Sequence, residues 1–220
     1  ALLDGPPPQP FKYFDVAECS VDGEPFLISR TGWTGELGFE LYSLNPQVDG
    51  QRVFHHLMHA GRAVDLGFSS LESMGIRRIE AGIMDNGTDM DATMTPFQAG
   101  LGRFVDVESS DYIGSEALAR ADKRNCFYGV IAASETPIGR HKAVCEGIEV
   151  GQMTAAAVSP YLKKFIGYLR FDEPGDWVDN EVTLLASDGS THVGKVVSLP
   201  FFDTEKRLPR GLAAPGEFDE

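Results

Sequence analysis

The chain has 220 residues, 42% of them hydrophobic, enough to bury the core of one large domain or two modest ones. Its net charge of −14, from 33 acidic against 19 basic residues, argues against a nucleic-acid groove, which needs a basic stripe, and against an anionic membrane surface. No apolar run approaches the ~20 residues that cross a bilayer, and the N-terminus lacks the basic-then-apolar pattern of a secretory signal. Cys19, Cys126 and Cys145 are scattered, with no CxxC pair and no histidines at zinc spacing, and read as reduced thiols of a cytoplasmic protein.

In chain order, the first five residues and the prolines 6, 7, 8 and 10 read as a loop inside a longer protein, so the chain is expected to be a C-terminal portion. Residues 11–19 alternate and read as a strand. Val21-Asp22-Gly23-Glu24 is a hairpin turn signal, and 25–31 is the return strand. Asn45-Pro46 predicts a helix with Asn45 as its N-cap and proline at its first position. Val48, Val53, Phe54, Leu57, Met58 and Ala60 follow at a helical period broken by Gly50. Ser69-Ser70 caps a second helix, with Leu71, Met74, Gly75 and Ile79 on its apolar side, ending at Gly82. His55 and His59 have the i, i+4 spacing that can hold a metal. No acid or cysteine accompanies them, so they are read as surface residues and no metal is assigned.

Asn86-Gly87-Thr88-Asp89 predicts a turn, 104–107 a short strand, and 114–124 a short helix. From Cys126 the pattern changes. Short strands recur at 127–133, 141–146, 148–155, 166–171, 181–186 and 193–199, with turn signals such as Glu173-Pro174-Gly175-Asp176 and Asp188-Gly189-Ser190 between them. The expected fold is α+β. An antiparallel sheet with packed helices occupies 1–122, an all-β barrel or sandwich occupies 123–210, and 211–220 is a loose tail.

The most informative stretch is residues 30–42. A glycine-rich turn, Arg30-Thr31-Gly32-Trp33-Thr34-Gly35-Glu36, runs into a strand. Alternation sends Leu37, Phe39 and Leu41 to one face and Gly38, Glu40 and Tyr42 to the other. The second face then carries a carboxylate and a phenol roughly 7 Å apart, beside a glycine that leaves room for a flat ligand. A carboxylate next to an aromatic suits a planar heterocycle with two parallel N–H donors, gripped bidentately at its edge. A pterin has such an edge.

This stretch resembles the strand motif of the glycine-cleavage T-protein family, the tetrahydrofolate-dependent aminomethyl and methyl transferases. Arg78-Ile79-Glu80-Ala81-Gly82 is similar to the family's helix end. Thr95-Pro96-Phe97-Gln98-Ala99-Gly100-Leu101 and Tyr112-Ile113-Gly114-Ser115-Glu116-Ala117-Leu118 are similar to two further blocks in the same order. The resemblance implies tetrahydrofolate as cofactor and Glu40 as the glutamate that holds the pterin. Trp33 stands where the family usually has tyrosine and is a candidate to stack on the folate. Tyr42 could contact the substrate or simply belong to an amphipathic strand, and Glu36 reads as a structural turn carboxylate. Arg78, near the apolar side of its helix, is either a folate contact or half of an ion pair with Glu80 or with an aspartate from another segment. The family's catalytic acid, an aspartate, lies in its N-terminal half, so no catalytic residue is assigned here. The chain by itself is expected to be catalytically silent, with that half as its partner.

One departure matters. Aminomethyltransferases show Ala-Arg-Asp, with a folate-holding arginine, where this chain has Ser73-Met74-Gly75; that arginine is absent or replaced by Arg77. The blocks at 30–33, 86–91, 100–106 and 200–203 are similar to those of the dimethylsulfoniopropionate demethylase branch. The resemblance therefore implies one-carbon transfer from a small methylated or aminomethylated donor. It leans to a demethylase, with the glycine-cleavage aminomethyltransferase and a non-catalytic folate-binding scaffold as alternatives.

Overall fold

The computed structural model describes residues 2–214 and 216–218. Positions 1, 215, 219 and 220 lie outside them, so three residues of the expected tail at 211–220 are not described. The chain divides into two compact units, one running to Gly75 and including Glu205–Phe218, the other Ile76–Thr204. Among the described residues no helix is long and apolar enough to cross a membrane.

The first unit is built on a three-stranded antiparallel sheet, β1 (Val16–Val21), β2 (Glu24–Ser29) and β3 (Glu40–Ser43), in that order. The predicted hairpin turn is present. Asp22 and Gly23 have φ of 51° and 76°, the positive pair that matches the twist of a two-residue hairpin. β1 starts later than its alternation suggested, at Val16 instead of residue 11. The Asp15 amide donates to the Lys12 carbonyl, and Phe14 has a φ of 72°, so residues 12–15 form a turn.

Helix α1 (Gly50–Gly61) covers one sheet face. Val21 and Phe26 pack with Val53, flanked by Cys19, Leu41, Val48 and Leu57. The cap is Asp49, not Asn45. The Asp49 carboxylate accepts from the amides of Gln51 and Arg52, both at 3.1 Å. Asn45 instead closes its own turn, its side-chain oxygen accepting from the Gln47 amide at 2.9 Å. A residue of this type satisfies a turn as readily as a helix end, and the nearer aspartate takes the helix. Ser70 caps helix α2 (Leu71–Glu80) as expected, its hydroxyl accepting from the Ser73 amide at 3.2 Å.

In the second unit α2 ends at Gly82, with φ of 69°. The amide of Gly82 donates to the Ile79 carbonyl and that of Ile83 to the Arg78 carbonyl, the paired bonds of a left-handed helix stop. The predicted turn at 86–89 is present, with Gly87 at φ of 94°. The predicted strand at 104–107 is absent. Gly102–Phe104 forms a 3-10 turn, closed by the Phe104 and Val105 amides donating to the carbonyls of Leu101 and Gly102. The short helix is α3 (Ser115–Arg120).

All six predicted β segments form strands: β4 (Phe127–Ala132), β5 (His141–Cys145), β6 (Ile148–Ser159), β7 (Lys164–Phe171), β8 (Glu181–Ala186) and β9 (Thr191–Val197). Of the two architectures left open, barrel and sandwich, the barrel is found. It closes in the order β4-β7-β6-β5-β8-β9, every pairing antiparallel. Val130, Phe165, Leu169, Leu184 and Val196 fill its interior. A second cluster, Phe127, Ala157, Ile166 and Tyr168, packs against Ile79 of α2. A short helix, α4 (Arg207–Arg210), follows in the first unit. Residues beyond it turn back on it, the Leu212 amide donating to the Arg207 carbonyl at 2.8 Å.

Candidate functional site

The face of the first sheet turned away from α1 carries the polar residues. Strand register places Ser29 opposite Glu40 and Leu27 opposite Tyr42. Alternation then puts Ser29, Thr31, Glu40 and Tyr42 on one face and Ile28, Arg30, Phe39 and Leu41 on the other. The expected split of this segment is therefore observed, with two differences. The strand proper begins at Glu40, and Leu37 and Phe39, expected to face a core, are half exposed. The space at Gly38 belongs to the chain itself. A side chain there would meet the Thr31 carbonyl oxygen at 3.3 Å and the Gly32 Cα at 3.8 Å. The glycine lets the loop close on its own backbone; the room expected for a flat ligand is not at this residue.

Glu40 is half-buried and already engaged. Thr31 Oγ1 donates to Glu40 Oε2, and Thr31 Oγ1 also lies 2.9 Å from Ser29 Oγ. The half-exposed Tyr42 phenol lies on the same face; partial desolvation, then the neighbouring Glu40 carboxylate, raise its pKa above the usual tyrosine range. Glu40 and Tyr42 are thus brought together. Trp33 sits half-buried in the turn that precedes them. Thr31 was not singled out from sequence. Its signal was available: a hydroxyl two residues beyond Ser29 falls on the Glu40 face once the hairpin pairing is fixed.

On the opposite face Arg30 is buried. Its guanidinium donates to the carbonyls of Phe11 at 3.4 Å and Pro209 at 3.2 Å, and lies 5.5 Å from the centre of the Phe39 ring. It anchors the base of the glycine-rich turn.

Arg78 lies in the second unit and is described there. Its Nη1 donates to the Asp89 carboxylate, and its guanidinium sits 5.5 Å from the centre of the Tyr168 ring. Asp89 is fully buried and also accepts from the Asp85 amide at 2.8 Å and the Thr154 hydroxyl at 2.7 Å. Of the two ion-pair partners considered, the aspartate from another segment is the one found. Glu80 instead accepts from Arg77, from the Ser159 hydroxyl and from the Tyr161 amide at 3.3 Å. The Tyr168 hydroxyl reaches the carbonyls of Arg78 and Ile79 at 2.9 and 3.0 Å, closing the end of α2. His55 and His59 are exposed on α1, and the three cysteines are free thiols.

A half-buried carboxylate that accepts from one hydroxyl, on the same sheet face as a phenol, can grip a flat ring that presents paired N–H groups. Residues 6–109 match the GCVT N-terminal domain. The chain is 33% identical over 214 residues to an aminomethyltransferase of Streptomyces coelicolor, covering 94% of this chain and 56% of that protein. It is 34% identical over 195 residues to a trimethylamine-oxide aldolase of Ruegeria pomeroyi, covering 86% of this chain and 24% of that protein. The glycine cleavage system aminomethyltransferase T of Bartonella henselae shares the fold, with a TM-score of 0.74 at 23% identity over 90% of this chain and 54% of that one. The chain therefore spans about half the length of the aminomethyltransferases it matches, and it belongs to the glycine cleavage T-protein (aminomethyltransferase) family.

Proposed function

We propose that this chain supplies the pterin-gripping part of a tetrahydrofolate-dependent one-carbon transferase whose donor is a small methylated compound. The observation that carries the reading is the Glu40 carboxylate, held by Thr31 on the sheet face that Tyr42 shares. The residues present fit the cofactor. A carboxylate has about four acceptor positions, and the one Thr31 hydroxyl leaves room for the two N–H donors of a pterin edge. Trp33 adds an aromatic face for the ring system. Tetrahydrofolate, when bound, supplies the nitrogen that accepts the carbon. This chain's part is to orient the ring and keep its edge dry. Tyr42 faces the donor, where an aromatic ring also suits a cationic sulfonium or ammonium group. Arg78, engaged by Asp89, contributes by fixing the end of α2 and the segment that follows it. The folate-binding region is assigned to 1–122 and the β domain to 123–210, in a protein that works in the cytoplasm.

The methylated donor is favoured by Met74, which stands where aminomethyltransferases have their folate-holding arginine. It is also favoured by the similarity to an enzyme whose name gives trimethylamine oxide as substrate. Aminomethyl transfer is the second reading, supported by the aminomethyltransferase relatives at the same level of identity. Mass spectrometry of the folate product of the full-length enzyme separates them. A 5-methyl product from a sulfonium or ammonium donor supports demethylation. A methylene product with release of ammonia rejects it and leaves folate use intact. For the site itself, Glu40→Gln is expected to weaken tetrahydrofolate binding at least about tenfold, roughly 1.4 kcal/mol, the scale of one lost charge-assisted hydrogen bond. Equal affinities by calorimetry would reject Glu40 as the pterin residue.

A further inference from the structure

We propose that Thr31 is the positioning residue of the pterin site: its bond to one oxygen of Glu40 fixes the carboxylate plane that meets the ring edge. The inference rests on the folate reading above and deepens it. Thr31 Oγ1 has a single proton and two acceptors within reach, Glu40 Oε2 and Ser29 Oγ. The ionised carboxylate is the stronger acceptor, so Thr31 donates to Glu40 and the Ser29 hydroxyl donates to Thr31. The result is a directed chain from Ser29 through Thr31 to Glu40 along one sheet face. Its middle member is also fixed through the backbone. The Thr31 carbonyl packs on Gly38 so closely that any side chain there would meet it at 3.3 Å, and the neighbouring Arg30 is tied to the carbonyls of Phe11 and Pro209. An unsupported glutamate on a strand would turn freely about its outer torsion. Here a hydroxyl on a closed loop sets that torsion, and thereby the plane in which two ring N–H groups can be met together.

A purely structural threonine and a positioning one differ in what their loss does to ligand discrimination. The test uses the full-length protein and calorimetric titration with 5-formyltetrahydrofolate and its 2-desamino analogue, which lacks one of the two edge donors. The variants are Thr31→Val, Thr31→Ser and Glu40→Gln, with thermal midpoints measured alongside. Thr31→Val is expected to shrink the preference for the parent ligand over the analogue by at least about fivefold, while Thr31→Ser, which keeps the hydroxyl, stays within about twofold of the wild type on both ligands. A smaller loss of discrimination in Thr31→Val, or an equal loss of affinity for both ligands, overturns the proposal. So does a Thr31→Ser variant that behaves like Thr31→Val. Glu40→Gln separates the two ideas. If it loses discrimination and Thr31→Val does not, only the role of Thr31 falls. If it binds both ligands as the wild type does, or if the full-length wild type binds neither, the folate reading falls and the role of Thr31 with it.

Discussion

The two units of this chain handle the edges of a β-sheet in opposite ways. The sheet of the first unit has three strands, so β1 and β3 are both edges, and β3 carries the half-exposed Tyr42 and is flanked by the half-exposed Leu37, Phe39 and Leu44. The sheet of the second unit closes on itself, so every strand has two partners and no edge remains. Their polar groups follow suit. In the second unit Asp89 and Glu80 are fully buried and saturated with donors. In the first, Glu40 and Tyr42 remain open to further partners. A sealed carboxylate holds a fold together, because desolvation makes its loss costly. A half-open one on an edge strand contributes little to stability and is available to a ligand.

The comparison is sharpest where a buried charge can be orphaned. Asp89→Ala leaves Arg78 buried without its anion and is expected to cost ~3–5 kcal/mol, read as a fall in the urea midpoint at unchanged slope. A cost below about 1 kcal/mol would mean that water reaches this pair, against its burial. Next comes a matched pair of leucines. Leu184 is fully buried in the barrel and Leu37 is half exposed. Leu184→Ala should cost about 3 kcal/mol through the cavity it opens, and Leu37→Ala less than about 0.5 kcal/mol. Similar costs for the two would erase the distinction between the units.

The smallest effect is a pH dependence. Burial raises the Tyr168 pKa far above its ordinary value of about 10. A folded-state pKa above the unfolded one means the native protein holds its proton longer. The stability contributed by Tyr168 is therefore complete below about pH 10 and is lost as pH climbs beyond it, by up to ~1.4 kcal/mol per pH unit. Denaturant titrations at stepwise higher pH should show this slope for the wild type and a shallower one for Tyr168→Phe. Tyr42, whose phenol is half exposed, should add no comparable slope when changed to phenylalanine. Parallel slopes in wild type and Tyr168→Phe would mean that the buried phenol does not control alkaline stability.

Much of the architecture was legible from short-range signals. The Asp22-Gly23 turn, the Ser70 cap, the Gly82 stop and the six β segments of the barrel all follow from turn chemistry and periodicity, which act within a few residues. The misreadings came where two local rules competed. Asn45 and Asp49 are both good caps, and residues 11–15 alternate while one of them adopts a positive φ. For the site, Glu40 and Tyr42 were legible because alternation puts them on one face. Thr31 was not singled out, because its place on the Glu40 face shows only once the pairing of Ser29 with Glu40 is fixed.

The sequence by itself determined the elements, their order, the polar and apolar faces of the site strand and, through its motif blocks, the family resemblance, since each rests on neighbours close in the chain. Only the tertiary structure decided that the six strands close into a barrel, that Arg78 is taken by Asp89, and that Thr31 holds the Glu40 carboxylate. Those outcomes depend on pairings across 11 residues for Arg78 and Asp89 and 65 for Thr154 and Asp89. At such separations it is the geometry of closure and the cost of leaving a buried charge unmatched that select the partner.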